Sequence, residues 1–309
     1  MEALAAANAN FSLELFKKIT EITKAKNTGN VFYSPFSISS ALAMVSLGAR
    51  GNTEVQILEV SSQCTQFSEA MDSFTQGNCI QFEGDVHVAF NKLFAELNKE
   101  GAPYALSLAN RLYGEKTYKF VEPVQMMHQT ATFPFTYVPD VDCQILELPY
   151  EGKDMSMLIM LPNNMEDNTT GLEKQMLTYD KLVEWTRPDM MHTVEVQVGL
   201  PRFKLEETYD LKEILVSMGM VDAFSPKKCD FSGMAPCSNL VLSKVVQKSF
   251  VEVTEEGTEA AAATAVTATL ITSSMPLIQK MFRADHPFLF FIRHNPTQSI
   301  LFYGRYSSP

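Results

Sequence analysis

Five histidines (His87, His128, His192, His286, His294) and five cysteines (Cys64, Cys79, Cys143, Cys229, Cys237) carry most of the reactive side chains of this chain. The histidines are dispersed, and no GxSxG, HExxH, P-loop or GxGxxG pattern surrounds them. No CxxC pair exists, so the thiols do not form a zinc site. Ser34, Ser37, Ser39 and Ser40 have no base near them in sequence and read as capping and helix-packing hydroxyls. His286 before Pro287 reads as a structural group at the start of a strand. Met126-Met127 and Met190-Met191 read as core or strand filler rather than metal ligands. These residues predict a protein that is not an enzyme, with no catalytic residue, no metal and no cofactor.

The segment with chemical consequence is one without reactive groups, Glu255-Glu256-Gly257-Thr258-Glu259-Ala260-Ala261-Ala262-Ala263 and its continuation to Ala265. Nearly every side chain from Gly257 onward is small. Alanines flanked by glutamates are good helix formers, so a solvated helical turn is the plain reading. The β-branched Thr264, Val266, Thr267 and Thr269 disfavour a continuing helix. Before the segment, Val245, Val246, Phe250, Val251 and Val253 read as a strand. The order is therefore strand, hinge, loop. A loop of small side chains can be accepted edge-on by a β-sheet without repacking its neighbours. If it became a strand, Thr258, Ala260, Ala262, Thr264, Val266 and Ala268 would share one face with no charge on it. Glu259 would face the other way.

Positioning such a segment needs a sizeable framework, and 309 residues with 46% apolar composition supply one. No linker, low-complexity tract or internal repeat divides the chain, which predicts a single domain over 1–309. A net charge of −11 with scattered Lys and Arg predicts no nucleic-acid or anionic-membrane partner. The N-terminus lacks a basic start followed by an apolar run, and no stretch reaches membrane-spanning length. An odd number of irregularly spaced cysteines predicts free thiols and a cytoplasmic location.

Periodicity places the elements. Phe11, Leu15, Ile19 and Ile22 predict an N-terminal amphipathic helix. Asn27 to Asn30 reads as a turn, and Pro35 opens a helix expected to run to about Ala49. Asp85 is a candidate cap for a helix bearing Val86, Phe90, Leu93 and Leu97. Further helices are expected over Leu172–Trp185 and Leu211–Met218. Alternation predicts strands at Tyr104–Leu108, Met155–Leu161 and Val194–Leu200, and apolar runs predict buried strands at Phe288–Ile292 and Ser299–Tyr303. Helices early and strands late point to an α+β fold with antiparallel sheets.

Three stretches together resemble the serpin family. Glu255 to Ala265 resembles the hinge of an inhibitory serpin's reactive-centre loop. Asn30-Val31-Phe32-Tyr33-Ser34-Pro35 onward, with Leu47-Gly48-Ala49-Arg50-Gly51-Asn52-Thr53, is similar to the segment at the base of the serpin main sheet. Ala284 to Arg293 and Ile300 to Arg305 are similar to its C-terminal strands. The likeness covers nearly the whole chain and is greatest to the ovalbumin-like intracellular branch. It implies a serine protease inhibitor acting as a suicide substrate, with a loop over about residues 255–280 and elastase- or chymotrypsin-like proteases as partners. The family's spacing from Glu255 puts the reactive bond at Ile271–Thr272, with Leu270 and Met275 as alternatives. The resemblance also implies a monomer prone to loop–sheet polymers, and possible release to the extracellular space without a signal peptide.

The sequence also departs from the family. Leu108 to Phe120 resembles the second strand of the serpin main sheet, yet Val121 to Met127 resembles a segment that normally follows much later. The block expected between them, with the crossing helix and the central third strand, is missing. Gln247 stands where many serpins carry a histidine bonded to that third strand. The departure implies an alternative, a non-inhibitory serpin-like variant (a protease substrate or interaction module) or a truncated isoform.

Overall fold

The computed structural model describes residues 2–26, 29–62, 92, 93, 95, 96, 125–163, 172, 178–187, 189–234, 240–254 and 280–307. The fold is α+β, as expected. Helix α1 (Glu2–Lys26) buries Phe11, Leu15 and Ile19, the stripe that its periodicity marked. Strand β1 (Val31–Tyr33) leads into α2 (Pro35–Ser46), where Ser34 Oγ accepts from Ser37 N at 3.2 Å as the N-cap. Ser39 and Ser40 bond back onto carbonyls of their own helix, and Ser39 Oγ also donates to Asn8 Oδ1 at 2.9 Å. The hydroxyl cluster therefore caps and packs.

Helix α2 ends at Ser46 rather than near Ala49. Gly48 N donates to Val45 O, and Arg50 N leaves the helix axis to donate to Asp230 O at 2.8 Å. This tertiary bond closes the turn, and a further helix α3 (Gly51–Ser62) begins at Gly51, whose φ is +56°. Sequence periodicity had not separated α3 from its surroundings. The expected helix at 172–185 is observed as α4 (Tyr179–Trp185), capped by Thr178, while Leu172 lies in a turn. Helix α5 (Lys212–Ser217) is close to expectation. Residues 92, 93, 95 and 96 are helical, in line with the helix proposed after Asp85. The strand expected at 104–108 and the turn at Asn27 and Thr28 lie outside the described residues.

The remaining strands are β2 (Met126–Val138), β3 (Cys143–Pro149), β4 (Met155–Pro162), β5 (His192–Pro201), β6 (Phe203–Asp210), β7 (Val246–Val253), β8 (Lys280–Arg283), β9 (Phe288–His294) and β10 (Ser299–Tyr306). Among the described residues, seven of them join β1 in one sheet, in the order β1-β10-β9-β4-β3-β2-β5-β8. All its pairings are antiparallel except β5 with β8. All eight residues of β4 are buried, although the sequence shows alternation there. The reason is that β4 lies between β3 and β9 and is covered on both faces. Leu158, Met160, Leu289, Phe291 and Tyr303 face α1, α2 and α3. On the other face Met157, Ile159, Phe288 and Phe290 meet the pair β6–β7 through Phe203, Leu205, Val251 and Val253. Burying side chains of this size contributes about 1.5–3 kcal/mol each.

Candidate functional site

The site is built from two strands that end in different sheets. Strand β7 pairs antiparallel with β6, from Phe203 opposite Val253 to Asp210 opposite Val246. It buries Gln247, Ser249, Val251 and Val253 and exposes Lys248, Phe250 and Glu252. The next described strand after β7 is β8, from Lys280, which ends the order of the eight-stranded sheet among the described residues. The hinge residues Glu255, Glu256, Gly257, Thr258, Glu259, Ala260, Ala261, Ala262 and Ala263 lie between these points, outside the described residues. So do Leu270, Ile271, Thr272 and Met275. The described structure therefore defines the frame of the loop.

The far end of that frame is pinned by polar contacts. Strand β8 buries Phe282 and leaves Met281 65% exposed. Ala284 N donates to Gly199 O at 2.8 Å, extending the contact with β5. Arg283 Nε lies 3.0 Å from Asp285 Oδ2, and His286 Nδ1 lies 3.0 Å from Asp285 Oδ1. His286 Nε2 donates to Pro162 O at 2.6 Å, at the end of β4. Hydrogen bonding to His286, and then the charge of Arg283, hold the Asp285 carboxyl below its usual range. His286 thus ties β8 to β4 just ahead of β9, which is the structural role its position before Pro287 predicted.

The near end has two unlike faces. Outside, Lys248 pairs with Glu206, and Lys204 stands 4.9 Å from the centre of the half-exposed Phe250 ring. The hydrogen bond to Lys248 lowers the Glu206 carboxyl. Inside, Glu207, Tyr209, Gln247 and Ser249 make a polar group at the end of β6–β7 away from the loop. Tyr209 Oη accepts from Phe32 N of β1 at 3.2 Å. Gln247 Nε2 donates to Ser249 Oγ at 2.6 Å, while Gln247 Oε1 is buried with no hydrogen-bond partner among the described residues. Burial alone pushes the Glu207 carboxyl up to about 7. Sequence reading did not single out Glu207, Tyr209 and Ser249 as a group. The signal was present: Phe203, Leu205, Glu207 and Tyr209 occupy alternate positions on one strand face.

Comparison with known proteins decides the family. A family model described as serpin (serine protease inhibitor) matches residues 6–123 and 119–309. The chain belongs to the serpin family. This serpin is 39% identical to the leukocyte elastase inhibitors of Equus caballus and of Homo sapiens over 402 aligned positions, with all of each chain covered. Its fold is also similar to solved serpins. Maspin matches with a TM-score of 0.73 and 28% identity, covering 100% of this chain and 99% of that one. Uncleaved ovalbumin matches at 0.68 and 27%, covering 99% and 100%. The aligned 402 positions exceed the 309 residues of this serpin by 93. The family model breaks into two stretches that meet at residues 119–123, around Phe120, where the sequence departs from the family pattern.

Proposed function

We propose that this serpin inhibits serine proteases by offering residues 255–279 as bait, with Ile271–Thr272 as the reactive bond. Elastase- or chymotrypsin-like enzymes are the targets. The single observation that carries the reading is the placement of β7 and β8 in separate sheets, joined by a segment with an uncharged, small-residue face. A protease serine attacks the Ile271 carbonyl, the Thr272 amine leaves, and an ester links the two proteins. The freed segment can then add as a strand beside β7, on the side that no described strand occupies. Strand β7 buries odd-numbered residues, whereas the uncharged face of the loop is even-numbered. Reversal at Glu255-Glu256-Gly257 resets the alternation, and Gly257 suits such a turn. Insertion carries the attached protease away and distorts it before the ester hydrolyses. The native fold is held short of its lowest energy until cleavage.

The protein works as one domain, a monomer with a risk of loop–sheet polymers. A cytoplasmic setting fits the free thiols of Cys143 and Cys229, and release to the extracellular space follows from the family resemblance. Leu270 and Met275 are the alternative reactive residues.

A second reading, a non-inhibitory substrate or truncated isoform, is favoured by the break at 119–123 and by the 93 aligned positions that this chain leaves unfilled. Mixing the purified chain with neutrophil-type elastase or chymotrypsin separates the two on a denaturing gel. Trapping gives a boiling-resistant band at the summed mass and a released peptide beginning at Thr272. A clean cut at Ile271–Thr272 without that band establishes the second reading.

A further inference from the structure

Among the described residues, the polar group under β7 contains an acceptor without a donor and a carboxyl without a counter-charge. Gln247 is 93% buried (7% exposed), its Nε2 is engaged by Ser249, and its Oε1 has no partner among the described residues. A buried amide oxygen left unpaired costs about 1–3 kcal/mol. In the β6–β7 register Glu207 faces Ser249 and Tyr209 faces Gln247. Glu207 is therefore the diagonal neighbour of Gln247 on the same inward face. Diagonal positions on an antiparallel pair lie about 7–8 Å apart, within reach of two long side chains.

The candidate donors narrow quickly. Among the described residues, the Tyr209 hydroxyl lies on the Phe32 amide of β1 and makes no bond to Gln247 Oε1. The Ser249 hydroxyl meets Gln247 at Nε2 and likewise makes no bond to Oε1. A carboxylate can only accept, but a carboxylic acid carries one O–H donor. We propose that Glu207 in its acid form donates to Gln247 Oε1, latching β7 onto β6 and the core, and that ionisation of Glu207 opens this latch beneath the strand leading into the loop.

The surrounding charges agree. Among the described residues, the packing elements offer Tyr33 from β1 and Arg305 from β10, both interacting with Tyr209. Tyr33 is a phenol raised by burial and stays neutral. Arg305 acts on Tyr209, and its Nε donates to Gly29 O at 2.9 Å. Lys204, Glu206, Lys248 and Glu252 point to the opposite, solvent face. Burial is the one cause acting on Glu207, and it raises the carboxyl from 4.5 to about 7. The native state therefore holds this proton more tightly than the unfolded chain. The stability contribution is fully present below 4.5 and is lost as pH rises through about 7. The latch stands without any protease. Only its consequence for trapping rests on the serpin reading above.

The test compares the full chain with Glu207→Gln, whose amide donates at every pH. Urea midpoints of the two proteins should keep a constant offset below pH 4.5 and diverge as pH rises through about 7, with the variant the more stable. Hydrogen exchange of the Val246–Val253 amides, compared at the same pH, should be at least about tenfold faster in the wild type at about pH 8 and equal at about pH 5. A pH-independent difference, or equal β7 protection at both values, overturns the latch. Should the variant fail to fold, infrared titration of the wild type decides instead. A protonated carboxyl band that persists to near neutral pH and shifts in Gln247→Leu supports the latch. Absence of that band at about pH 6, or its indifference to Gln247→Leu, overturns it.

Discussion

At the residue scale, the chemistry of this serpin is set by side chains that must be small, buried or uncharged. Thr258 opens the even-numbered face that insertion would bury. Thr258→Arg would carry a charge into that face at a cost of several kcal/mol. Even ~3 kcal/mol is about a hundredfold in insertion rate. The expected result is cleavage at Ile271–Thr272 with the boiling-resistant band lost, read as inhibitor consumed per protease trapped. Undiminished complex formation by this variant would show that the even face is not the one buried. Cys143 makes a different kind of test. It is fully buried, and desolvation pushes its thiol up to about 12, so the nucleophilic thiolate is suppressed. Peptide mass spectrometry should find Cys143 alkylated only after unfolding, while the partly exposed Cys229 reacts in the native protein. Gly304 has no room for a side chain, since a Cβ there would lie 2.5 Å from Phe290 Cζ. Gly304→Ala should lower the unfolding free energy by about 1–3 kcal/mol in urea titrations.

At the element scale, the sheet is clasped by Arg293 of β9. Its guanidinium reaches Glu147 Oε1 of β3 at 3.5 Å, Thr186 Oγ1 at the end of α4 at 3.2 Å, and Asn295 Oδ1 in the following turn at 3.2 Å. Both members of the ion pair are largely buried. Removing one partner leaves the other charged and unpaired, so Arg293→Ala should cost about 3–5 kcal/mol. Replacing both Arg293 and Glu147 by apolar residues of similar volume should recover much of that loss. A single variant as stable as the wild type would show that the clasp is not structural. The elements also show where sequence patterns work. Phe288 to Ile292 and Ser299 to Tyr303 became β9 and β10 because a continuous apolar run suits a strand covered on both faces. Strand β2 was not anticipated, since Pro134 interrupts it and its burial does not alternate cleanly.

At the scale of the whole molecule, the family match breaks at residues 119–123, around Phe120, and that break can be tested directly. Grafting the corresponding block of a leukocyte elastase inhibitor between Phe120 and Val121 supplies the third strand and crossing helix that the resemblance implies. On the non-inhibitory reading the graft should convert clean cleavage into trapping, raise the melting temperature and reduce self-association of exposed apolar sheet surface. Equal trapping with and without the graft would show the block to be dispensable.

The sequence by itself determined the family and the α+β class. These rest on local features: the small residues from Gly257 to Ala263, the apolar runs of the last strands and the helical stripe of Phe11, Leu15 and Ile19. Local patterns survive in a one-dimensional reading because periodicity and side-chain size need no partner to be recognised. The tertiary structure alone decided what depends on neighbours distant in sequence. Arg50 ends a helix because Asp230 meets it. All of β4 is buried because helices cover one face of it and the pair β6–β7 covers the other. Glu207 holds its proton to near neutrality because folding buries it opposite Ser249, about forty residues later in the chain, and desolvation is a property of the packed state.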